Sequence, residues 1–545
     1  MMNPIFFKHK KILKKMYGIF LSVIFILSFD QISAAEIYVS TTGNNSNTGT
    51  SWNSPKGVTF LQTLSGTTVS ANTTIYLKAG TYNYSAVNAI SAATGFRLIG
   101  GFPATATGTD ITGYNPLANQ TNIKFSGAGT STPYEFLNAT GSVNSMLIKG
   151  IRFEGEGNLT AGGFSHVIYY GTLGSLITID LQVMDCEFFH FGNFTNGQGW
   201  QPFWTQDDGN YTFTNCYFHD NGAANDGAAI DILGGTGTTL SVNGCTFTNN
   251  KSNTGQQGGG GAVASVADTT TITNSSFCGN STPSGAGGAL GNGAGTGVSA
   301  GNWTVINCTF SNNTSGAYTG GAFCLNPGPT GSGINTLTMS GCNFYSNSET
   351  SCCSGGGALS LDAGYLTTSI TNCNFYNNSI TTGSSPSGGG NQGGGAILFT
   401  GQSLLKIINI SNCVFDSNAV PSTSYGGAIF LSNIFGGSID TNITLSNVTF
   451  INNKLGTSTV TAGCDIGIYA GSAGSGKYSI ANSRMQLPAA NSYRSYAFFT
   501  ATANNYTFGT GNVFGNISGG LNAPTFSCPS KITYCVAGSF APILN

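Results

Sequence analysis

Apolar and polar residues alternate along most of this chain, lose their phase at a fixed offset, and then resume. Eight Phe residues mark the pattern: Phe218, Phe247, Phe277, Phe310, Phe344, Phe375, Phe415 and Phe450, spaced 29 to 40 residues apart. Seven and five positions before Phe stand apolar pairs such as Leu240 and Val242, Leu337 and Met339, Ile408 and Ile410, Ile443 and Leu445. Two positions before it is Cys in six copies (Cys216, Cys245, Cys308, Cys342, Cys373, Cys413), Ser275 in one and Val448 in another. Residues two apart share a face of an extended strand, so each copy predicts two short strands with one inward face. The phase slips by three between them, which would turn that face outward unless the chain bends. Asn or Gly stands at every slip: Asn215, Gly244, Asn274, Asn307, Gly341, Asn372, Asn412 and Asn447. Both tolerate the left-handed backbone region that a sharp corner needs. Three positions after each Phe is Asn without exception: Asn221, Asn250, Asn280, Asn313, Asn347, Asn378, Asn418 and Asn453. These mark a second corner.

About ten residues further on comes Gly-Gly-Ala followed by an aliphatic or aromatic residue, as at Gly260–Val263, Gly287–Leu290, Gly320–Phe323, Gly356–Leu359, Gly394–Ile397 and Gly426–Ile429. The tract between the signatures varies in length, Ser379–Gly390 being the longest, which predicts loops leaving one edge of a stacked array. The fold expected is all-β, a right-handed parallel β-helix with an N-terminal cap. At about 4.8 Å per coil, roughly 12 coils make a rod on the order of 60 Å. Phe would file into an aromatic column, Cys into a small apolar one, and Asn into an amide ladder along the axis. A β-propeller also repeats at this scale, but it needs four alternating strands per blade and gives no reason for the Asn corners.

Only 7% of the 545 residues are charged, while Gly contributes 80 and Phe and Tyr 36 and 22. Helical bundles need a charged outer face, and disordered chains lack such aromatic content, so both are excluded. A formal charge of −2 excludes an electrostatic nucleic-acid binder. Lys8, Lys10, Lys11, Lys14 and Lys15 precede an apolar run from Ile19 to Phe29 and small residues at Ser33–Ala35, the pattern of a secretory signal peptide. Its removal leaves a net charge of −6. No other apolar stretch is long enough to span a membrane as a helix. The organisation expected is a signal peptide over 1–35, a cap with the first coils over 36–130, the β-helix over 131–515 (repeats clearest at 185–453), and a C-terminal segment over 516–545 that opens a further module.

The paired Gly-Gly-Ala-aliphatic and Phe-x-x-Asn signatures resemble the repeat of the polymorphic outer membrane protein family. That resemblance implies a β-helix displayed at a bacterial surface. Residues 37–84, with Ile37-Tyr38-Val39-Ser40, Trp52-Asn53-Ser54-Pro55 and Ile75–Tyr82, resemble the opening segment of secreted pectin-lyase-like β-helix proteins, which implies a cap on the open end of the stack. About 90 residues follow Asn453, too few for the strands of a translocator barrel. The resemblance therefore extends to the displayed rod, in the outer membrane, cell envelope or secreted space.

Fourteen Cys in a secreted chain raise the question of disulfides. The repeat cysteines share their slot with Ser275 and Val448, which favours a buried column. Cys278, Cys324, Cys352, Cys353 and Cys464 lie off it, and Cys528 with Cys535 is the best disulfide pair.

Candidate chemistry concentrates early. Between Arg152 and Lys251 there is no Lys or Arg, yet ten carboxylates occur, interleaved with Trp200, Trp204 and Tyr211 and near His190 and His219. Two carboxylates beside aromatic platforms are what a glycoside hydrolase uses, so Asp207, Asp208, Asp220, Asp231 and His219 are catalytic candidates and Trp200, Trp204 and Tyr211 candidate carbohydrate platforms. Asp207, Asp208 and Asp226 could instead hold Ca²⁺; no other cofactor is indicated. The His residues His166, His190 and His219 have no metal-ligand spacing. β-Helix polygalacturonases carry separate Asn-x-Asp, Asp-Asp, His-Gly and Arg-x-Lys elements, and here only Asp207-Asp208 matches. The preferred expectation is a non-catalytic adhesive rod that binds surface glycans or proteins of a host or neighbouring cell. The alternative is a polysaccharide-active enzyme working within 180–231. Ice or mineral binding would need a flat ladder of Thr, Ser and Asn that the insertions do not interrupt.

Overall fold

The computed structural model describes residues 35–515, apart from internal stretches of one to eleven residues; 1–34 and 516–545 lie outside the described residues. The expected signal peptide and the Cys528–Cys535 pair therefore fall outside it, as do Cys352, Cys353 and Cys464.

Every paired strand is parallel, and the chain winds through four sheets of 15, 14, 8 and 14 strands. One coil shows the order. Thr239–Asn243 lies in the first sheet, Thr246–Thr248 in the second, Lys251–Ser252 in the short third and Val263–Ser265 in the fourth; Thr269–Thr273 then returns to the first. This is the parallel β-helix that the strand-corner-strand pattern predicts. The first sheet carries 15 strands, more than the roughly 12 coils expected, because coils form before Asp185 and after Asn453, where the signature weakens. At about 4.8 Å per step the rod is roughly 65–70 Å long.

The corners have the backbone that the sequence demands. Asn215, Asn274, Asn307, Asn372, Asn412 and Asn447 have φ between 51° and 55°, and Gly244 and Gly341 both have φ 64°. At the second corner the left-handed residue is the one before the invariant Asn, for example Asn249, Asn312 and Asn377. That leaves the invariant Asn free to point inward, and Asn221 through Asn418 are fully buried. Each amide bridges three coils. Asn313 Nδ2 donates to the Phe277 carbonyl at 3.0 Å and to Asn347 Oδ1 at 2.9 Å, while its Oδ1 accepts from the N–H and Nδ2 of Asn280 at 3.0 Å each. The ladder starts where Phe191 N–H donates to Asn221 Oδ1 and ends where Asn453 Nδ2 donates to Asp465 Oδ1 at 3.0 Å. Each buried polar atom of the amide thus has a partner, the condition for burying it at little cost.

Beside the ladder runs the aromatic column, buried throughout. From Phe153 through Phe188 and Phe218 to Phe450, successive rings lie 4.6–5.1 Å apart and within 14° of parallel. The repeat cysteines form the third column, joined by Cys186, and all seven are buried thiols. Cys216 Sγ donates to the Thr214 and Val183 carbonyls, and the Cys216 N–H donates to Cys245 Sγ at 3.3 Å. Of the off-column cysteines, Cys278 is disulfide-bonded, whereas Cys324 is a buried thiol 3.3 Å from Thr319 Oγ1.

Two residues always separate the first-sheet strand from the second, and two separate the second from the third, in all coils from Thr239 to Leu455. Length differences collect at the two corners flanking the fourth sheet, so one side of the rod carries them all. At the other end of the core, Glu36–Val39 pairs with Thr74–Lys78 to begin the first sheet, and the helix Phe60–Thr63 buries Phe60 and Leu61 in the same core. Among the described residues no helix is long and apolar enough to cross a membrane.

Candidate functional site

The repeat sends the early acidic and aromatic residues to three separate places. The first is the corner between Phe203–Thr205 of the fourth sheet and Gly209–Thr214 of the first. Tyr211 faces inward and is 1% exposed, and its hydroxyl donates to the Asp207 carbonyl at 2.8 Å and meets Thr205 Oγ1 at 2.9 Å. Burial raises the phenol's pKa far above its ordinary value. The ring is a core residue that ties down the corner, and none of its faces can serve as a sugar platform. Asp207 is buried beside it, whereas Asp208 is exposed and accepts from Thr238 Oγ1 at 3.3 Å.

The second place is the outer face of the second sheet. In Arg152–Glu154, Glu187–Phe189 and Tyr217–His219, the residues on either side of the stacked Phe point outward, which aligns Arg152 with Glu187 and Phe189 with His219. Arg152 Nε donates to Glu187 Oε2 at 2.5 Å. His219 Nε2 lies 3.0 Å from Glu187 Oε1 and its Nδ1 2.8 Å from Asp220 Oδ2. The imidazole stacks on Phe189 (5.1 Å, 4°) and on Tyr217 (4.3 Å, 25°). Burial alone would lower the His219 pKa, but the hydrogen bonds to Asp220 and Glu187 outweigh it and the net shift is upward. Burial would raise Glu187, but His219 and Arg152 hold it below the usual carboxylate range. Asp220 is likewise lowered, by His219 against its burial. Each ionised group here faces an opposite charge, an arrangement that fixes structure.

The third place is the fourth sheet. Trp204 and Asp231 are register partners on an outward row, yet they are 8% and 1% exposed. Gln201, fully buried, donates from Nε2 to Asp231 Oδ2 at 3.0 Å, and its carbonyl meets His166 Nδ1 at 2.7 Å. The half-buried Trp200 sits edge-on to His166 at 5.2 Å. Burial brings the His166 imidazole down to about 4. Burial first, then the charge of Asp226, pushes the Asp231 carboxyl well above its ordinary value, against the Gln201 hydrogen bond.

The sequence-level candidates are therefore divided. His219 and Asp220 come together with Glu187 and Arg152; Asp231 comes together with Gln201, Trp204, His166 and Trp200; Asp207, Asp208 and Tyr211 stay at the corner. Among the described residues no three His, Cys, Asp or Glu side chains form a metal-holding group, so Asp207, Asp208 and Asp226 make no such cage. Glu187, Arg152 and Gln201 were not singled out. The first two were legible, because Phe153 and Phe188 carry the corner residues Gly150 and Asp185 three positions earlier and so extend the repeat upstream.

No protein-family model and no curated protein matches the chain. Among solved structures, the catalytic unit of a thermostable GH87 α-1,3-glucanase from Streptomyces thermodiastaticus matches at 15% identity and a TM-score of 0.36, over 81% of this chain and 63% of that one. PfbA, a surface adhesin of Streptococcus pneumoniae, matches at 9% identity and a TM-score of 0.28, over 82% of this chain and 84% of the adhesin. The chain thus spans less than two thirds of the glucanase unit, and neither likeness carries a function across.

Proposed function

We propose that this protein is a secreted or surface-displayed rod of the bacterial cell envelope that adheres to glycans or to proteins of a host or neighbouring cell, without turning them over. The observation that carries this reading is the outer face of the first sheet. Its central outward row runs from Ser241 through Thr271, Thr304, Thr338, Ser369, Asn409 and Thr444 to Ser479 in unbroken register. Flanking rows add ladder bonds, Thr336 Oγ1 to Asn302 Oδ1 at 2.6 Å and Thr273 Oγ1 to Asn243 Oδ1 at 2.9 Å. Hydroxyls and amides repeat about 4.8 Å along the rod and about 6.7 Å across it, a geometry suited to polar, uncharged partners. The row itself runs without a register break through these eight strands. Surface display agrees with the resemblance of the repeats to polymorphic outer membrane proteins, and the 37–84 segment is proposed as the end cap. The test is binding of the purified rod to arrayed glycans and to whole cells. Loss of binding in a Thr304→Lys/Thr338→Lys/Thr444→Lys variant supports the reading. Retention by that variant, or capture by ice or mineral in place of glycan and cells, overturns it.

A second reading, a polysaccharide-active hydrolase, is favoured by Asp231. Burial raises its carboxyl well above the ordinary value, the direction a general acid needs, and Trp204 is its register partner; at 1% exposure the carboxyl must be uncovered before a sugar can reach it. Reducing-end release from pectic, alginate or neutral glycans that is abolished by Asp231→Asn would establish it over the adhesive reading.

A further inference from the structure

The column before Phe consists of thiols in a chain that also carries a disulfide. Cys186, Cys216, Cys245, Cys308, Cys342, Cys373 and Cys413 are buried thiols, while Cys278, one position past Phe277, is bridged. The two kinds occupy opposite sides of the strand. Column residues stand two before Phe and share its inward face, whereas Cys278 belongs to the outward row with Thr248 and Ser311. In that coil alone the column cysteine gives way to Ser275, and no other column site has a cysteine three positions on. A thiol at 275 would form a Cys-x-x-Cys pair with Cys278, the spacing of readily closed disulfides.

A hydroxyl performs the column's bonding as well as a thiol. Ser275 Oγ accepts from the Cys245 N–H at 3.1 Å and donates to the Thr273 carbonyl at 2.8 Å. Cys245 Sγ accepts from the Cys216 N–H at 3.3 Å and donates to the Asn243 carbonyl at 3.5 Å. Cys413 Sγ likewise accepts from the Cys373 N–H at 3.4 Å and donates to the Ser411 carbonyl at 3.2 Å. A bridged sulfur has no hydrogen to donate, so this pattern needs the reduced state. The stack also holds the thiols apart. Neighbours in register lie about 4.8 Å from one another, wider than the roughly 3.5–4.5 Å between the Cβ atoms of a disulfide. All other pairs are at least about 9.6 Å apart, beyond the limit of about 7 Å between its Cα atoms. In the unfolded chain neither restraint exists, and consecutive column cysteines within each uninterrupted run are only 29 to 40 residues apart.

We propose that the thiol file makes folding of the rod one-way with respect to oxidation: the chain enters the stack only while the column is reduced, and a disulfide oxidant that meets the unfolded chain locks it out. With oxidised glutathione as that oxidant, two protein thiols are oxidised to one S–S bond. The glutathione S–S bond breaks, and the two hydrogens leave on two glutathione thiols. Once the rod has formed, burial protects the column from the same reagent. Ser275 keeps the two kinds of cysteine from pairing in the coil where they would come within three residues. The inference is independent of what the rod binds.

The test compares two orders of addition on the full chain, unfolded in urea, reduced, and freed of reductant. In the first order urea is removed and oxidised glutathione follows; in the second, oxidised glutathione precedes the removal of urea. Recovery is read as protease-resistant rod, and bridges are located by peptide mass mapping. Recovery at least about fivefold lower in the second order is expected, with column cysteines bridged and with rescue by dithiothreitol. Replacing all seven column cysteines by Ser should bring the two orders within about twofold of each other. Should that variant not fold, Cys342→Ser/Cys373→Ser/Cys413→Ser should narrow the gap. Ser275→Cys should change nothing in the first order and in the second should divert Cys278 into a bridge with position 275. Equal recovery of the wild type in both orders, column bridges after the first order, or a gap that persists undiminished in the Ser variants overturns the proposal.

Discussion

Replacing Asn313 by Ala tests the amide ladder directly. The substitution removes four hydrogen bonds, two donated by Nδ2 and two accepted by Oδ1. Asn347 Oδ1 keeps a donor in the Asn313 backbone N–H at 3.0 Å. The Asn280 N–H loses its partner outright, Asn280 Nδ2 keeps only the Phe247 carbonyl at 3.0 Å, and the Phe277 carbonyl loses the amide, all in a buried setting. At about 1–3 kcal/mol for the orphaned N–H and about 1 kcal/mol for each of the other two groups the sum is about 3–5 kcal/mol, and a water entering the vacated volume should bring the cost to the lower half of that range. Asn313→Asp should cost more, because a carboxylate opposes two acceptors in a place without a cation. Asn409→Ala, on the exposed face, should cost less than about 0.5 kcal/mol. A solenoid can unfold piecewise, so a single melting midpoint is a poor readout. Hydrogen exchange resolved to the coils between Phe277 and Asn347 is the appropriate assay, with urea melts alongside. Protection in those coils within 0.5 kcal/mol of the Asn409→Ala protein would refute the claim that the ladder holds the coils together.

The His219 cluster predicts pH dependence in two windows. The raised imidazole contributes stability that is fully present below its unfolded pKa near 6.5 and is lost as pH rises through the higher folded value, so the stability gap between wild type and His219→Gln should shrink from pH 6 towards 8. The lowered Glu187 and Asp220 contribute above their unfolded values near 4 and lose that contribution as pH falls through the folded ones, which acid melts of Glu187→Gln should reveal as a flatter profile. Burial pushes the Cys186 thiol up to about 12, and the whole cysteine column is sealed in the core. The seven column cysteines should therefore escape iodoacetamide in the native rod and all be alkylated after denaturation, counted by mass spectrometry. Labelling of more than one in the native state contradicts the buried column.

Most of the fold could be read from the chain because it is written eight times over. Phe, Asn and the small residue before Phe recur at fixed offsets, and each offset has one geometric meaning on a strand. The outer coils were harder to see because their key letters change. Ser483 continues the cysteine column two positions before Met485, which replaces Phe, and Asn482 keeps the corner with φ 48°. The candidate site was less legible for a different reason. Proximity in sequence put Asp207, Asp208, Asp220 and Asp231 into one acidic segment, whereas a coil turns through four sheets in about thirty residues and carries neighbours to different sides. Tyr211 looked like a platform by composition, yet its parity with Phe213 on the strand places it inward. Gln201 could be noticed only once the register placed it next to Ala228 in a row that continues with Gly261 and Gly288.

The constant spacing around three sides has a consequence for how such rods change length. Every coil between Asn221 and Asn453 presents the same ring, amide and small inward side chain to the coils on either side. Excising one whole turn would rejoin ring to ring and amide to amide, and duplicating one would extend each file by a like member. Rod length is thus a quantity that unequal recombination can increase or decrease in steps of about 4.8 Å without redesigning the interior.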